Sequence, residues 1–455
     1  MATVGVKHPS FSRTRGLQVA AKRSEERYFA YPKPQFIIQY SSFKLAVMKA
    51  AIIFDNFGPY HLARIRAAAQ ACDLTAIEIA GRSAEYAWDG RDQVQSGEGE
   101  GLKCITLFQQ GTSHGAGSRE IAGRIESALD NISPLAVFIP GWSSPAAFAA
   151  LNWCVRRQVP AIMMSESTAW DDTRISWREA VKRRLVGLCR SALVGGLSHE
   201  DYIVKLGMLR EQVFLGYDAV DNQYFSQEAE KSRMAQEVIR EKFALPRSYF
   251  LASARFIEKK NLPRLLKAYA GYRQLAAEED SGGTKPPWDL VLLGDGELRA
   301  SLLELRASFS LENCVHLPGF IQYPDLPAYY GLAKAFIHAS TTEQWGLVVN
   351  EAMASGLPVL VSNRCGCAAN LVQDGVNGFT FDPSETQELV QLMMRISAPG
   401  FPLAELGEAS RMIISDWGTE RFGSGVKAAV DCAVEIGSRP ASLFDRTLLA
   451  ALARK

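Results

Sequence analysis

The stretch over residues 335–383 constrains the fold of this chain more than any other part of it. Ala335, Phe336 and Ile337 form a short apolar run that reads as a buried strand. A polar turn carrying Glu343 follows, then a compact helix over residues 347–354. Gly356-Leu357-Pro358 stops that helix, since glycine tolerates the left-handed position past a helix end and proline cannot continue the turn. Val359, Leu360 and Val361 then form the next strand. Glu343 and Glu351 have seven residues between them, the first in the turn and the second inside the helix. Gly346 opens the helix, where unpaired backbone amides and the helix dipole suit anions and hydroxyls. Carboxylates flanking such a site can hold sugar hydroxyls while the amides hold phosphate. The two glutamates also read as a plain N-terminal charge and a solvated helix position, and the residues alone leave both readings open.

Strands and helices alternate from Met48 onward, which argues a mostly parallel sheet with helices on both faces. At 455 residues the chain is long enough for two such α/β domains with sizeable cores. A net charge of +1 offers no case for nucleic-acid binding. The apolar runs stop well short of the ~20 residues a membrane span needs. Among eight scattered cysteines the one close pair is Cys365-x-Cys367, neither a metal spacing nor a disulfide framework, so reduced thiols in a cytosolic protein are expected. Residues 1–47 differ in composition: eight Lys/Arg stand against Glu25 and Glu26, with no periodic segment. They read as a disordered extension. A targeting peptide is one alternative; Met48, directly before the first strand, favours a start site upstream of the true one.

KAAIIF, residues 49–54, is the first strand, and the turn after it leads into a helix at His61. Turns at the carboxyl end of a first strand are where doubly wound sheets place ligands, which makes Gly58, His61 and Arg64 candidate acceptor-side residues. The alternative has His61 capping the helix and Arg64 on its exposed face. A second strand covers 74–80, and the aromatic segment around Tyr86, Trp88 and Asp89 suits a lid or an acceptor wall. A helix over 118–131, a strand over 135–139 and a strand over 160–164 follow. Glu166, just past that strand in Ser165-Glu166-Ser167, suits acceptor hydroxyls or a helix cap. Residues 170–190 read as a basic amphipathic helix, with Arg174, Arg178, Lys182, Arg183 and Arg184 beside Trp170, Ile175, Trp177, Val181 and Leu185. Such a helix lies on an anionic membrane surface or forms a solvated face over a core. A short strand over 192–196 and a helix over 198–206 containing His199 complete the first half.

The second domain starts near Ser226 with a charged helix running to Phe243. The turn after its first strand, 249–254, carries Arg255, Lys259 and Lys260. Two cations at a strand's carboxyl end suit a diphosphate, arginine through its bidentate fork and lysine as a mobile point charge. A solvated charged loop is the alternative. A surface insertion covers 278–287, and the strand over 289–293 ends in Gly294-Asp295-Gly296. That glycine pair lacks the third glycine of a dinucleotide fingerprint and reads as a tight turn. Past Trp417 a helix covers 420–436, before a tail with a helical end.

The words TTEQWGLVVNEAMASGLPVLVS, with NGFTFDP downstream, resemble the signature of the retaining glycosyltransferases of family 4, which have the GT-B fold. The resemblance covers roughly residues 48–436 and is far more specific in the second domain than in the first. It implies two Rossmann-like doubly wound domains facing a cleft: an acceptor-side domain over 48–225 and a nucleotide-sugar domain over 226–416. Residues 417–455 are then a helix crossing back to the first domain, plus a tail. Asp221 and Phe225 match the family's interdomain crossover. By resemblance Glu343 holds the donor sugar's hydroxyls and Glu351 the ribose, while Arg255 and Lys260 contact the diphosphate. Trp345, Gly346, Leu347, Val348 and Gly319 belong to the donor-binding side. Two departures stand out: many relatives have a first-domain histidine where this chain has Gly141-Trp142-Ser143, and an acidic residue where Asn370 stands.

The implied activity is transfer of a sugar, with retention, from a nucleotide-diphosphate sugar to a glycan, lipid-linked or small-molecule acceptor. The leaving diphosphate itself helps deprotonate the acceptor. No Asp-x-Asp motif is present and the cationic pair does a metal's work, so no metal and no cofactor are expected. The expected location is cytoplasmic, with peripheral membrane contact as the alternative to full solvation. Two rival readings remain: a non-catalytic GT-B scaffold that binds a nucleotide sugar or a partner protein, and inversion or phosphorolysis on the same fold. Deleting residues 1–47 is expected to leave melting temperature and activity unchanged, because no core pattern is found there. A melting temperature several degrees lower in the truncated chain would show that the extension docks.

Overall fold

A computed structural model describes residues 48–81, 101–109, 117–279 and 286–453. The extension over 1–47, the aromatic segment at Tyr86, Trp88 and Asp89, and the centre of the 278–287 insertion lie outside the described residues.

The first half runs β1 (Lys49–Phe54), α1 (Pro59–Ala71), β2 (Asp73–Ala80), β3 (Lys103–Phe108), α2 (Ser118–Ile132), β4 (Ala136–Pro140), α3 (Pro145–Arg157), β5 (Ala161–Ser165), α4 (Ser176–Leu188), β6 (Ser191–Val194), α5 (Leu197–Lys205) and β7 (Val213–Leu215). All seven strands are parallel, in the order β3-β2-β1-β4-β5-β6-β7. The central strands are buried at nearly every position, as a parallel sheet covered on both faces requires. One face (Ile53, Val137, Ile139, Met163) packs on α2, α3 and α5 through Ile125, Leu129, Trp153 and Ile203.

The second half runs α6 (Asn222–Met234), α7 (Gln236–Phe243), β8 (Tyr249–Ser253), α8 (Leu262–Glu279), β9 (Asp289–Leu293), α9 (Arg299–Ser308), β10 (Val315–Gly319), α10 (Leu326–Leu332), β11 (Ala335–His338), α11 (Leu347–Ala354), β12 (Val359–Ser362), α12 (Ala368–Leu371), β13 (Gly378–Phe381), α13 (Thr386–Ser397), α14 (Leu403–Ser415), α15 (Thr419–Ile436) and α16 (Leu443–Leu452). Its six parallel strands are ordered β10-β9-β8-β11-β12-β13. Two doubly wound parallel sheets joined in this way are the GT-B fold.

The returning helix has a plain physical cause. The other face of the first sheet (Ile52, Phe138, Ile162, Leu193) is covered by α1 and by α15, whose Phe422, Val426, Ala429, Val430 and Ala433 are all buried there. Gly423 lets the two helices meet: a Cβ on it would lie 2.8 Å from the Ala67 carbonyl oxygen.

Several elements depart from the sequence reading. β3 and α3 were not foreseen. β3 is an edge strand with only Leu107 buried, so its pattern KCITLF carries little apolar signal. The amphipathic helix expected over 170–190 begins only at Ser176, because the Arg174 side chain ties back to the Thr168 carbonyl and to Asp171 and holds that run in a turn. The charged helix expected up to Phe243 is broken at Ala235 into α6 and α7.

Phe422→Ala is expected to cost about 3–5 kcal/mol, the usual range for emptying a core aromatic site. Urea unfolding followed by a first-domain probe such as Trp153 fluorescence checks this; a loss below about 1 kcal/mol would mean that α15 does not hold the first sheet.

Candidate functional site

In the second sheet the strand order reverses between β8 and β11, and such a switch point leaves a crevice at the strands' carboxyl ends. The loop after β8 carries Arg255 and Lys260; the loop after β11 carries Glu343. Lys260 Nζ donates to Glu343 Oε2, and both side chains are largely buried. The backbone fixes the carboxylate from both sides: Glu343 N–H donates to the Arg364 carbonyl (3.2 Å), and Gly366 N–H donates to the Glu343 carbonyl (3.0 Å). His338 Nε2 lies 3.2 Å from Glu343 Oε2, and Ser340 Oγ 3.4 Å from it. Burial alone would raise the Glu343 pKa, but the His338 hydrogen bond and the Lys260 charge overcome it and hold the group well below the usual range. Glu343 is therefore an ionised carboxylate in a nearly dry site.

The Gly294-Asp295-Gly296 turn supports the cationic loop. Phe256 N–H donates to the Asp295 carbonyl (2.8 Å). Gly294 has φ +122, and a Cβ there would meet the Ala254 carbonyl oxygen at 1.9 Å. Gly319, at the end of β10, accepts from Gly294 N–H at 2.9 Å and so backs this turn. Gly346 caps α11 in a left-handed conformation (φ 104), which leaves Leu347 and Val348 in its first turn. Trp345 points elsewhere: its ring is buried against Trp417 and His199, and its Nε1 donates to Asn350 Oδ1.

Glu351 is not the solvated helix position that its sequence allowed. It is 1% exposed and accepts hydrogen bonds from Tyr330 Oη (2.5 Å) and from Tyr60 Oη of the first domain. Desolvation pushes its pKa up to about 7, against the pull of the two tyrosines.

The first domain presents the loops after β1, β5, β6 and β7. Gly58 N–H donates to His61 Nδ1 (3.2 Å), so the imidazole caps α1 and that nitrogen is occupied. Burial, then the Arg64 charge, lowers its pKa to about 3. The arrangement recurs at the start of α5. Gly196 N–H donates to His199 Nδ1 (3.1 Å), which leaves Nε2 to donate across the domains to the Gln344 carbonyl (2.9 Å). Burial lowers His199 to about 4, so it joins the domains as a neutral ring. The bridging role of His199 escaped the sequence reading, although the repeated spacing Gly-x-x-His at 58–61 and 196–199 carries the signal. Leu197 N–H also crosses the seam, to Asn370 Oδ1 (3.2 Å). Arg64 does not lie on an exposed face. It is 2% exposed, donates from Nε to the Ala219 carbonyl (2.8 Å), and places Nη2 3.9 Å from Asp218 Oδ1. Asp218, which the sequence reading passed over, and Glu166 complete this side. Trp142, in the Gly-Trp-Ser run after β4, packs on Tyr202.

Residues 235–411 match the family model described as Glycosyl transferases group 1. An uncharacterized glycosyltransferase of Haemophilus influenzae is 33% identical over 139 residues, 30% of this chain and 38% of that protein. The alpha-monoglucosyldiacylglycerol synthase of Acholeplasma laidlawii is 28% identical over 162 residues, 35% of this chain and 38% of that protein. The chain thus spans well under half the length of these curated relatives. Among solved structures, Anabaena HepE in complex with UDP and glucose superposes with a TM-score of 0.63 at 17% identity, covering 83% of this chain and 97% of that one. WaaG, a glycosyltransferase involved in lipopolysaccharide biosynthesis, gives 0.58 at 15% identity, covering 84% and 98%.

The Glu351 environment has a consequence for stability. The folded chain keeps a proton on Glu351 up to about pH 7, while the unfolded chain releases it near 4.5. The folded state therefore binds more protons between these values, and the contribution of Glu351 to stability falls as pH rises through that window. Glu351→Gln removes the slope. Relative to wild type, its unfolding free energy is expected to improve from pH 4.5 to 7, by at most roughly 3 kcal/mol. Urea titrations at several pH values test it, and a difference flat with pH would mean that the buried group is ionised throughout.

Proposed function

We propose that this chain is a retaining, metal-independent glycosyltransferase that moves a hexosyl unit from a nucleotide-diphosphate sugar to an acceptor hydroxyl. The contact between Lys260 and Glu343 at the switch point of the second sheet carries the reading. It brings a cation and an ionised carboxylate together beside the start of α11, in the domain that matches the group 1 glycosyltransferases. A diphosphate would take the cations of the 255–260 loop and the first amides of α11, and a sugar's hydroxyls would take Glu343.

In the reaction, charge grows on the departing diphosphate. Arg255 and Lys260 stabilise it where it develops, which lowers the barrier rather than merely tightening binding. The diphosphate oxygen then accepts the proton of the incoming hydroxyl on the same face, so no side chain need become covalently attached. Glu351 takes the ribose, a donor hydroxyl replacing that of Tyr60. HepE has been solved with UDP and with UDP-glucose, which makes UDP-sugars the first donors to try.

The acceptor is a glycan, a lipid-linked sugar or a small molecule, and the setting is cytoplasmic. No helix among the described residues is long and apolar enough to cross a membrane. Exposed Trp177, Leu443 and Phe444, with Arg178 stacked on the first and Arg184 on the last, form a surface suited to peripheral contact with an anionic bilayer.

Release of nucleotide diphosphate from a panel of UDP-, GDP- and ADP-sugars tests the proposal. Arg255→Ala and Lys260→Ala are each expected to cut turnover on the order of 100-fold, comparable to losing an oxyanion donor. Glu343→Gln is expected to lower turnover more than donor affinity, and Glu351→Gln the reverse. Wild-type kinetics in all four variants would remove these residues from the site.

A further inference from the structure

Among the described residues, every hydrogen bond that the Glu343 carboxylate accepts ends on the same oxygen. Oε2 takes Lys260 Nζ and lies 3.2 Å from His338 Nε2 and 3.4 Å from Ser340 Oγ. No donor of these residues reaches Oε1. The side chain keeps 12% of its exposure, and Oε1 is not sealed off from solvent as a buried unpartnered atom would be. One oxygen is thus anchored in the protein and the other faces the crevice. An ionised carboxylate only accepts hydrogen bonds, so Oε1 is reserved for a ligand's O–H or N–H.

His338 is built as a support and not as a group that meets substrate. It ends β11, in register with Val361 of β12, and is 3% exposed. Its ring stacks on Phe336 and comes up against Gly346, where an added Cβ would lie 3.5 Å from both His338 Nε2 and Glu343 Cγ. The place of the ring proton follows from the partners. Glu343 is ionised and has no proton to give, so the nitrogen facing it must carry one. Ser340 Oγ, 3.3 Å from the same Nε2, accepts from the ring while its own hydroxyl turns to Oε2, so the three side chains form one closed set. A second ring proton would set two cations against a single carboxylate in a nearly dry site. Burial lowers the His338 pKa, and the Lys260 charge adds to this, against the opposing hydrogen bond to Glu343.

Lys260 by itself gives the carboxylate no direction. An ammonium on a flexible stem is a point charge that pairs with either oxygen, whereas an imidazole fixed on a strand has one donor axis. We propose that His338 is a positioning residue for sugar transfer: its Nε2–H, with Ser340, fixes Oε2 of Glu343 so that Oε1 stays aimed at a hydroxyl of the donor sugar. This rests on the glycosyltransferase reading and gives a buried residue a part in turnover. His338 touches no substrate and acts through Glu343. Because Glu343 meets the reacting sugar, His338 governs turnover more than donor binding.

The test measures kcat and donor KM on the full chain with the best donor from the panel. His338→Leu is expected to lower kcat on the order of 10- to 100-fold, the worth of a hydrogen bond to a charged group, with donor KM nearly unchanged. His338→Asn, whose amide is too short to reach Oε2, should match it and serves where the leucine variant does not fold. His338→Gln, whose amide nitrogen falls near the place of Nε2, should recover most of the loss. In a Glu343→Gln background the same leucine or asparagine substitution should cost little more, because the group that His338 positions is already altered. Equal losses in both backgrounds, or a glutamine variant as impaired as the asparagine variant, would overturn the proposal. If wild type releases no nucleotide from any donor, the glycosyltransferase reading fails, and nitrogen NMR of the full chain still decides the contact. The His338 signal, identified by its loss in His338→Gln, should report a neutral ring protonated on Nε2 and should shift in Glu343→Gln. A ring protonated on Nδ1 instead would overturn the proposal.

Discussion

Lys260 and Glu343 are joined across the crevice between β8 and β11, and much of the second domain keeps that ion pair both buried and held in place. Burying opposite charges is unfavourable unless the remaining lone pairs and protons are satisfied. Glu343 gains His338 and Ser340 as further partners and has its backbone tied to Arg364 and Gly366. On the other side, Thr341 N–H donates to the Lys259 carbonyl, and Asn261 Nδ2 donates to the carbonyls of Ala339 and Pro383. The two loops are thus one hydrogen-bonded unit, anchored to three strands and backed by the Gly294 turn. An ion pair held so firmly is pre-organised, which is what a site needs if charge is to be stabilised without reorganisation when it develops.

The two domains are attached in two different ways. The helix Thr419–Ile436 grips the first sheet through a continuous apolar face. The seam at the strands' carboxyl ends is instead bridged by single polar contacts: His199 to Gln344, Asn370 to Leu197, Tyr60 to Glu351. A polar seam can exchange its hydrogen bonds for those of water or of a ligand at small net cost, whereas the apolar grip cannot be released so cheaply. Both histidines of the seam loops, His61 and His199, use Nδ1 to cap a helix, and burial keeps each ring neutral at physiological pH. The seam is in this respect insensitive to pH changes near neutrality.

Legibility in the sequence followed burial. The helix Leu347–Ala354 and the strand Asp289–Leu293 have the bounds their patterns suggest, because each is apolar against polar or glycine-bearing flanks. In the second domain the strands over 249–254, 289–293, 335–337 and 359–361 could be read from apolar runs against charged or glycine-bearing turns. In the first domain the edge strand Lys103–Phe108 and the helix Pro145–Arg157 were invisible, one for want of burial and the other for want of a polar face. Residues 170–175 looked helical on periodicity, and a single side chain, Arg174, bent them into a turn.

What the sequence determined alone was local: where strands and helices alternate, where glycine and proline end them, and which charged turns sit at the ends of strands. Those features depend on neighbours a few residues away. The tertiary structure decided how residues far apart share one environment. Arg64 changes from a surface position to a buried one only because Ala219 and Asp218 return to it from the turn after β7, more than 150 residues later. Glu351 has its pKa raised only because the fold buries it away from water, against the opposing hydrogen bonds from Tyr60 and Tyr330. Charge state follows burial and partners, and neither is written in the spacing of residues along the chain.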